Sequence, residues 1–220
     1  MTDSLMPRPR ESLRALLLSQ EFFDRDPRVV ARALLGKLLA RRTPNGTLVG
    51  RVVETEAYLG TGDPAAHSFS GKTPRNAVLF GPPGLAYVYF IYGNHYCLNV
   101  SCLPDGVAGG VLFRALEPVI GIEAMARARD MSLSDKSALK RITSGPGRMA
   151  EAFGITRDRD NGKDFTSARS DLQLRDDGYR VRRVVVTRRI GIVKAAEEPL
   201  RYIIEGNPFV SGPKAWAKKT

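Results

Sequence analysis

The sequence predicts an α+β fold built on an antiparallel β-sheet, because it contains two β-hairpin patterns and several capped helices. Each hairpin pattern consists of two β-branched or aromatic runs on either side of a two-residue turn sequence. The chain has 220 residues and is 43% hydrophobic, so it can bury a sizeable core. Its length fits one domain of about 100–200 residues better than two. We expect a flexible leader at residues 1–19 and a single domain at 20–220.

The first helix follows this leader. Asp26-Pro27 supplies an N-cap followed by proline at the first helical position, and Gly36 is a common C-terminal stop. The helix is therefore predicted at about 27–35.

Two runs at 37–42 and 47–58 flank Asn45-Gly46, a dipeptide that tolerates positive φ in a tight turn. These runs should pair as the first hairpin. Residues 60–83 are rich in Gly, Pro, Ser and Asp and predict a long irregular connection. Loops of this length in a compact domain are often functional.

The second hairpin is predicted from the runs 85–92 and 95–102, with Gly93-Asn94 as the turn and Tyr92 at the tip. The remaining predicted elements are a strand at 111–116, a helix from Pro118 to about Arg129, helices at 135–142 and 146–153, a polar stretch at 156–179, and strands at 180–192 and 201–204.

The charge balance makes phosphate the first partner to consider. The chain has 34 Lys and Arg against 23 Asp and Glu, which gives a net charge of +11. A solvated basic surface is the alternative explanation. Two cysteines are too few for a disulfide framework, and no signal peptide or membrane-length apolar run is present. We expect a soluble, cytoplasmic monomer with no membrane partner.

Glu54, Glu56 and Tyr58 should share one face of a strand, because successive strand side chains alternate. A carboxylate beside an aromatic ring in a partly desolvated position can activate water. The alternative is a solvated polar face on an edge strand. By the same alternation Tyr87 and Tyr89 share a face, where they could stack on a base or simply pack in the core.

We expect no metal and no cofactor. His67, His95 and Cys97 are the candidate zinc ligands, but they lack the spacing of a known zinc motif. The run Ser144-Gly-Pro-Gly-Arg148 opens a helix and could hold one phosphate, or it could be a helix start alone.

The sequence contains several ordered motifs between residues 53 and 118. They are Val53-Glu-Thr-Glu-Ala-Tyr-Leu-Gly60, Ala65-Ala-His67, Thr73-Pro-Arg-Asn76, Tyr87-Val-Tyr89, Ile91-Tyr-Gly93, Asn99 and Leu112-Phe-Arg-Ala-Leu-Glu-Pro118. In these motifs the chain resembles the alkyladenine (3-methyladenine) DNA glycosylase family, and the resemblance runs from residue 21 to 211. The resemblance implies a curved, partly closed antiparallel sheet flanked by helices, with the second hairpin projecting towards DNA. Asn94 departs from the vertebrate-like pattern, which usually has methionine there, and the loop after His67 is slightly shorter.

The resemblance also implies roles for single residues. Glu56 matches the general base that activates the attacking water, and Arg114 matches an arginine that helps to hold this water. The residues matching the pocket for the flipped purine are Tyr58, His67, Tyr89, Asn99 and Leu112. Tyr92 matches the side chain that fills the gap left in the duplex.

These roles predict a monofunctional glycosylase that acts on double-stranded DNA containing damaged purines. The expected lesions are 3-methyladenine, 7-methylguanine, hypoxanthine and ethenoadenine, and the expected place is the cytoplasm, at the nucleoid if the cell is bacterial. We expect Arg75, Lys140, Arg141 and Arg148 to contact phosphates. A non-catalytic nucleic-acid-binding module and a two-carboxylate glycoside hydrolase remain as alternatives.

Overall fold

A computed structural model of the chain describes residues 15–91, 93–133 and 136–212. The strands are β1 (Leu16–Leu17), β2 (Leu38–Thr43), β3 (Gly46–Tyr58), β4 (Ala86–Ile91), β5 (His95–Ser101), β6 (Gly110–Ile120), β7 (Leu172–Asp176), β8 (Val184–Thr187) and β9 (Arg201–Ile204). The helices are α1 (Pro27–Leu34), α2 (Ile122–Ala128), α3 (Lys136–Arg141), α4 (Pro146–Ala152) and α5 (Arg157–Asp160).

All the strands belong to one antiparallel sheet that curls into a half-barrel. The main order is β1-β7-β2-β3-β6-β5-β4. The curl is centred on β3, which pairs with β6 along one edge and divides its other edge between β2 and β9. The predicted α+β single domain with a curved antiparallel sheet is therefore confirmed.

The core lies between the sheet and the helices on one of its faces. Helix α1 buries Val30, Ala31 and Leu34 against the sheet, and the Asp26 side chain caps it by accepting a hydrogen bond from the Arg28 backbone N–H at 2.8 Å. Helix α4 packs mainly on β5 and also contacts β6 and α2. These helices leave the opposite face of β4, β5 and β6 available for a cavity.

Both predicted hairpins form, but their turns differ from the prediction. Thr43 pairs with Gly46, so the first turn consists of Pro44 and Asn45 and begins one residue earlier. Ile91 pairs with His95, so three residues connect β4 to β5 instead of two. Tyr92 lies outside the described residues, and the projection of this hairpin stays a prediction.

The helix predicted from Pro118 to about Arg129 forms, but its predicted start is wrong, because β6 continues through Pro118 to Ile120. Pro118 has no N–H to give to a neighbouring strand, and it lies opposite Gly50 next to a register shift that accommodates it. Gly121 then adopts a left-handed φ of +79°, and α2 starts at Ile122.

Three further secondary-structure predictions require correction. Of the predicted strand at 180–192, only β8 joins the sheet, and the chain after it folds inward. Within the polar stretch 156–179, β7 was missed, although Leu172 and Leu174 are fully buried. Strand β1 lies inside the predicted leader, because Leu16 and Leu17 pair with the end of β7.

Candidate active site

A cavity of about 570 Å³ opens on the face of the sheet opposite the helices. Odd-numbered residues of β4 and β5 line it, because successive side chains of a strand point to opposite faces. The even-numbered side chains Val88, Leu98 and Val100 point into the core. The other walls come from β6, the loop after β3, residues 144–148, which include the first turn of α4, and the chain after β8 and after β9. The lining residues used below are Tyr58, His67, Tyr87, Tyr89, Cys97, Asn99, Leu112, Arg114, Arg148, Ile190, Ile192 and Ser211.

Glu54, Glu56 and Arg114 form a buried ionic group beneath this cavity. The Arg114 Nε donates to Glu54 Oε1 at 2.9 Å, and its Nη1 lies 3.2 Å from Glu56 Oε1. Both carboxylates are fully buried, whereas Arg114 retains 7% exposure and lines the cavity. The shared contact with Arg114 confirms that the two glutamates lie on one face of β3.

The two glutamates have different partners. Glu54 Oε1 also accepts from Arg201 Nε at 2.7 Å, and its Oε2 accepts from the Ser211 backbone N–H at 2.6 Å. Glu56 accepts from the Ile190 backbone N–H at 2.8 Å and from the Tyr58 hydroxyl at 3.0 Å. Glu54 thus accepts from two guanidinium groups and one backbone N–H, and one of these partners, Arg201, lies away from the cavity, whereas all three partners of Glu56 line it.

Burial raises the pKa of Glu56 above its ordinary value, and the positive charge of Arg114 and the bonds from Ile190 and Tyr58 oppose this rise. The net effect is a carboxylate that takes up a proton more readily than an exposed glutamate. Such a group is suited to general-base catalysis near neutral pH. Burial and the neighbouring Glu56 charge raise the pKa of Tyr58, so its hydroxyl stays protonated and can donate.

The Tyr58 ring is held from behind by a cation. The Arg189 guanidinium carbon lies 4.7 Å from the ring centroid, and Arg189 donates to the Ala57 carbonyl at 3.0 Å. Arg189 also forms two bonds to Asp63, of 2.5 and 2.9 Å. Tyr58 therefore presents one fixed face towards the cavity.

His67, Tyr87 and Tyr89 form an aromatic cluster on another wall. The His67 Nδ1 and the Tyr87 hydroxyl share a hydrogen bond of 2.9 Å, and the His67 and Tyr89 ring centroids are 4.4 Å apart. Partial burial lowers the pKa of His67, and the nearby charge of Arg75 lowers it further. A neutral imidazole is thereby favoured, and its other nitrogen is not engaged by Tyr87.

Asn99 and Leu112 lie next to each other in the floor of the cavity, because β5 and β6 pair at these residues. The Asn99 side-chain amide donates to the Tyr87 carbonyl at 3.2 Å, which fixes its orientation. Leu112 is also the partner of Glu56 across β3 and β6. The cavity is thus lined by aromatic rings and an oriented amide, and the buried Glu56 carboxylate lies directly behind them, bonded to Tyr58, Ile190 and Arg114 of its walls.

The four predicted phosphate contacts are all exposed but occupy different places. Arg148 lines the cavity, and the charge of Arg75 acts on the pKa values of His67 and Tyr87 in its wall. Lys140 and Arg141 lie on α3 and do not line the cavity. Their contacts with phosphate stay predictions.

The sequence reasoning missed Asp63, Arg189, Ile190 and Arg201 as neighbours of the site. Arg201 and Arg189 belong to runs that were predicted only as returning strands. A signal did exist for them: arginine is seldom placed inside a β-branched run unless a carboxylate compensates its charge. No motif, however, indicates which carboxylate that is.

The sequence model of the methylpurine-DNA glycosylase family matches residues 21–208. The chain belongs to this family. It is therefore a DNA glycosylase, a hydrolase that cleaves N-glycosyl bonds and acts in the repair of alkylated DNA. Membership confirms the resemblance seen in the motifs between residues 53 and 118.

Three relatives show how far this similarity extends. A protein of Koribacter versatilis is 63% identical over 207 residues, covering 94% of this chain and 99% of its own length. One of Methanoculleus marisnigri is 46% identical over 203 residues, covering 89% and 99%. One of Burkholderia lata is 45% identical over 198 residues, covering 90% and 92%. All three carry the name "Putative 3-methyladenine DNA glycosylase".

In the described part of the chain, no group of three or more His, Cys, Asp or Glu side chains is arranged to hold a metal ion. Among the same residues no helix is long and apolar enough to span a membrane.

Proposed function

We propose that this glycosylase draws a damaged purine out of double-stranded DNA into the cavity and hydrolyses its N-glycosidic bond with Glu56 as the general base. The observation that carries the proposal is the setting of Glu56. It is a fully buried carboxylate with a raised pKa, held by Tyr58, Ile190 and Arg114 at the wall of an aromatic cavity. A base inside a duplex is inaccessible, so extrusion must precede the chemistry.

In the proposed reaction, Glu56 removes a proton from a water molecule whose oxygen attacks the deoxyribose C1′. The bond between C1′ and the purine nitrogen breaks, and its electron pair leaves with the base. A cationic purine such as 7-methylguanine or 3-methyladenine leaves as a neutral molecule. A neutral lesion such as hypoxanthine or ethenoadenine requires an additional proton. The negative charge of Glu56 also stabilises positive charge that develops on the sugar.

The cavity walls support recognition of a flat, electron-poor base. Tyr58 and Tyr89 offer aromatic faces, to which cationic rings bind favourably. Among the described residues that line the cavity there is no lysine, which supports hydrolysis by water rather than by a Schiff base. A cell would use this activity on its chromosome, so we place the protein in the cytoplasm and, in a bacterium, at the nucleoid.

No observation favours a glycoside hydrolase with two working carboxylates. That mechanism requires two carboxylates on either side of the scissile bond. Glu54 and Glu56 instead lie on the same face of β3 and contact the same guanidinium group, that of Arg114.

The test uses duplex oligonucleotides that carry one hypoxanthine or one ethenoadenine, with alkaline cleavage to reveal abasic sites. Glu56→Gln should abolish base release, because the amide keeps the shape but cannot accept the proton of water. Its affinity for lesion DNA should stay within several-fold of the original. Glu123→Gln, which changes an exposed carboxylate away from the cavity, is the control and should remain active. More than a few per cent residual single-turnover rate in Glu56→Gln would contradict the proposal.

A further inference from the structure

Asp63 and Arg189 form a buried ion pair immediately behind the proposed site. The side chain of Arg189 is completely buried and that of Asp63 is 2% exposed. Each of the two Arg189 terminal nitrogens donates to one Asp63 oxygen. Burying an ion pair is costly, and its net contribution to stability is small or negative unless the geometry is good. Stability alone therefore does not account for an ion pair at this position, and a role in the proposed site has to be considered.

The pair connects three separate parts of the cavity. Asp63 accepts from the backbone N–H groups of Leu59 and Ala65, at 3.1 and 3.0 Å, and so holds the loop that carries His67. Arg189 donates to the Ala57 carbonyl and lies over the Tyr58 ring. The strand, the loop and the segment after β8 therefore meet at one guanidinium group. We refer to Asp63 and Arg189 together as the clamp.

The clamp is adjacent to both groups that donate to Glu56. Ile190, whose backbone N–H bonds to one Glu56 oxygen, follows Arg189 in the chain. Tyr58, whose hydroxyl bonds to the other oxygen, has its ring fixed by the Arg189 guanidinium. A displacement of Arg189 would therefore loosen the two hydrogen bonds of Glu56 together.

We propose that Asp63 and Arg189 are positioning residues for base release: they hold Tyr58 and the Ile190 backbone N–H in the orientation that binds the Glu56 carboxylate. This inference rests on the proposed role of Glu56 as the general base. The clamp itself does not touch Glu56.

The charged and titratable groups around Glu56 determine the sign of the expected effect. They are Glu54 and Tyr58 on its own strand, Arg114 on β6, Cys97 on β5, Arg201 on β9, and Arg189 after β8. The hydrogen bonds from Ile190 and Tyr58 lower the pKa of Glu56. Loosening them raises this pKa further, so a higher pH is needed before Glu56 can accept a proton.

The chain contains a second ion pair of the same construction, which provides a matched control. Arg51 donates from both terminal nitrogens to Asp177, at 3.1 and 2.8 Å, and to the Gly36 carbonyl at 2.7 Å. Its guanidinium lies 4.2 Å from the Tyr179 ring centroid. The two side chains of the pair are 1% and 6% exposed, and neither lines the cavity. Asp177→Asn therefore reproduces the chemical change of Asp63→Asn away from the site.

The experiment measures the single-turnover rate of hypoxanthine release from duplex DNA between pH 5 and 9 for the unaltered chain, Asp63→Asn, Arg189→Lys and Asp177→Asn. Asp63→Asn should lower the plateau rate several-fold and shift the acidic limb, because loosened hydrogen bonds raise the pKa of Glu56 while the uncompensated charge of Arg189 lowers it. Arg189→Lys, which keeps both charges, should move the acidic limb upward by about one pH unit. The affinity of Asp63→Asn for undamaged duplex should not change. Asp177→Asn should leave the acidic limb in place even if it lowers the melting temperature.

An acidic limb in Arg189→Lys identical to those of the unaltered chain and Asp177→Asn would overturn the inference. If Asp63→Asn does not fold, the position of the acidic limb in Arg189→Lys tests the inference by itself, because lysine keeps the charge but cannot bridge both carboxylate oxygens. An inactive Glu56→Gln with an unshifted Arg189→Lys would refute the clamp and leave the proposed function standing. A Glu56→Gln variant that releases the base would refute the proposed function, and the clamp with it.

Discussion

Replacing Glu54 with glutamine tests whether this buried carboxylate supports Arg114 rather than reacting itself. The glutamine keeps the size of the side chain but removes the charge that faces Arg114 and Arg201. One of its polar atoms also becomes an N–H₂ donor, which conflicts with the guanidinium donors on Oε1 or with the Ser211 N–H on Oε2. Both arginines are almost fully buried, so water cannot replace the lost contacts.

Removing one partner of a buried ion pair costs about 3–5 kcal/mol. We take about 3 kcal/mol, because glutamine retains one acceptor oxygen. A domain of this size loses roughly 2–4 °C of melting temperature per kcal/mol, so the expected decrease is about 6–12 °C. Since domains are stable by about 5–15 kcal/mol, the variant should still fold at room temperature.

The same substitution should shift the pH profile of base release in the direction opposite to Arg189→Lys. The negative charge of Glu54 raises the pKa of Glu56. Without this charge the pKa of Glu56 decreases, and the acidic limb of the single-turnover rate should move to lower pH. The rate at neutral pH should decrease as well, because Arg114 loses the carboxylate that orients its Nε.

Calorimetry and single-turnover kinetics decide the outcome, with Glu151→Gln as the control. Glu151 accepts from Arg129 Nε at 2.9 Å, the same distance as between Arg114 Nε and Glu54, but the Glu151 side chain is 47% exposed. Exposed pairs contribute about 0–1 kcal/mol, so this control should melt within about 4 °C of the unaltered chain. Equal decreases in the two variants would refute the assignment of Glu54 as a buried support.

Two further predictions concern stability and DNA binding. Because the pKa of Glu56 is raised in the folded state, Glu56 contributes stability that is complete below the unfolded value of 4.5 and is lost as pH rises through the folded pKa. The melting temperature of Glu56→Gln minus that of the unaltered chain should therefore increase as pH rises from about 4.5 to 8, and a constant difference would contradict this. Affinity for undamaged duplex should fall steeply with salt concentration. Arg148→Ala should reduce the slope of log affinity against log salt concentration by about one. The control Arg28→Ala, which changes an exposed arginine away from the cavity, should leave this slope unchanged.

Strand alternation predicted the inner part of the site well. It placed Glu54, Glu56 and Tyr58 on one face, and the structure shows both carboxylates on Arg114 and the Tyr58 hydroxyl on Glu56. It also placed Tyr87 and Tyr89 together, and both line the cavity. These predictions succeeded because the side-chain period of a strand is local and does not depend on which strands become neighbours.

The outer part of the site could not be predicted in this way. Asp63 and Arg189 are 126 positions apart, and Glu54 and Arg201 are 147 apart. Their contacts depend on β9 pairing with the second half of β3, for which the sequence contains no turn signal. Strands β1 and β7 were missed for the same reason, since short strands obtain their stability from neighbours distant in sequence.

The placement of Glu56 on β3 has a consequence for motion. At this residue β3 pairs with β6 on one edge and with β9 on the other, so we expect the backbone amides here to exchange more slowly than those of the loops. The loop after β3 is instead held at single side chains, Asp63 by Arg189 and His67 by the Tyr87 hydroxyl, with short-range turns such as that from Ala66 to Phe69 between them. The position of Glu56 therefore depends on the strand ladders of the sheet, whereas the wall opposite depends on a few side-chain contacts. A substitution in those contacts should alter the outline of the cavity before it moves the backbone of Glu56.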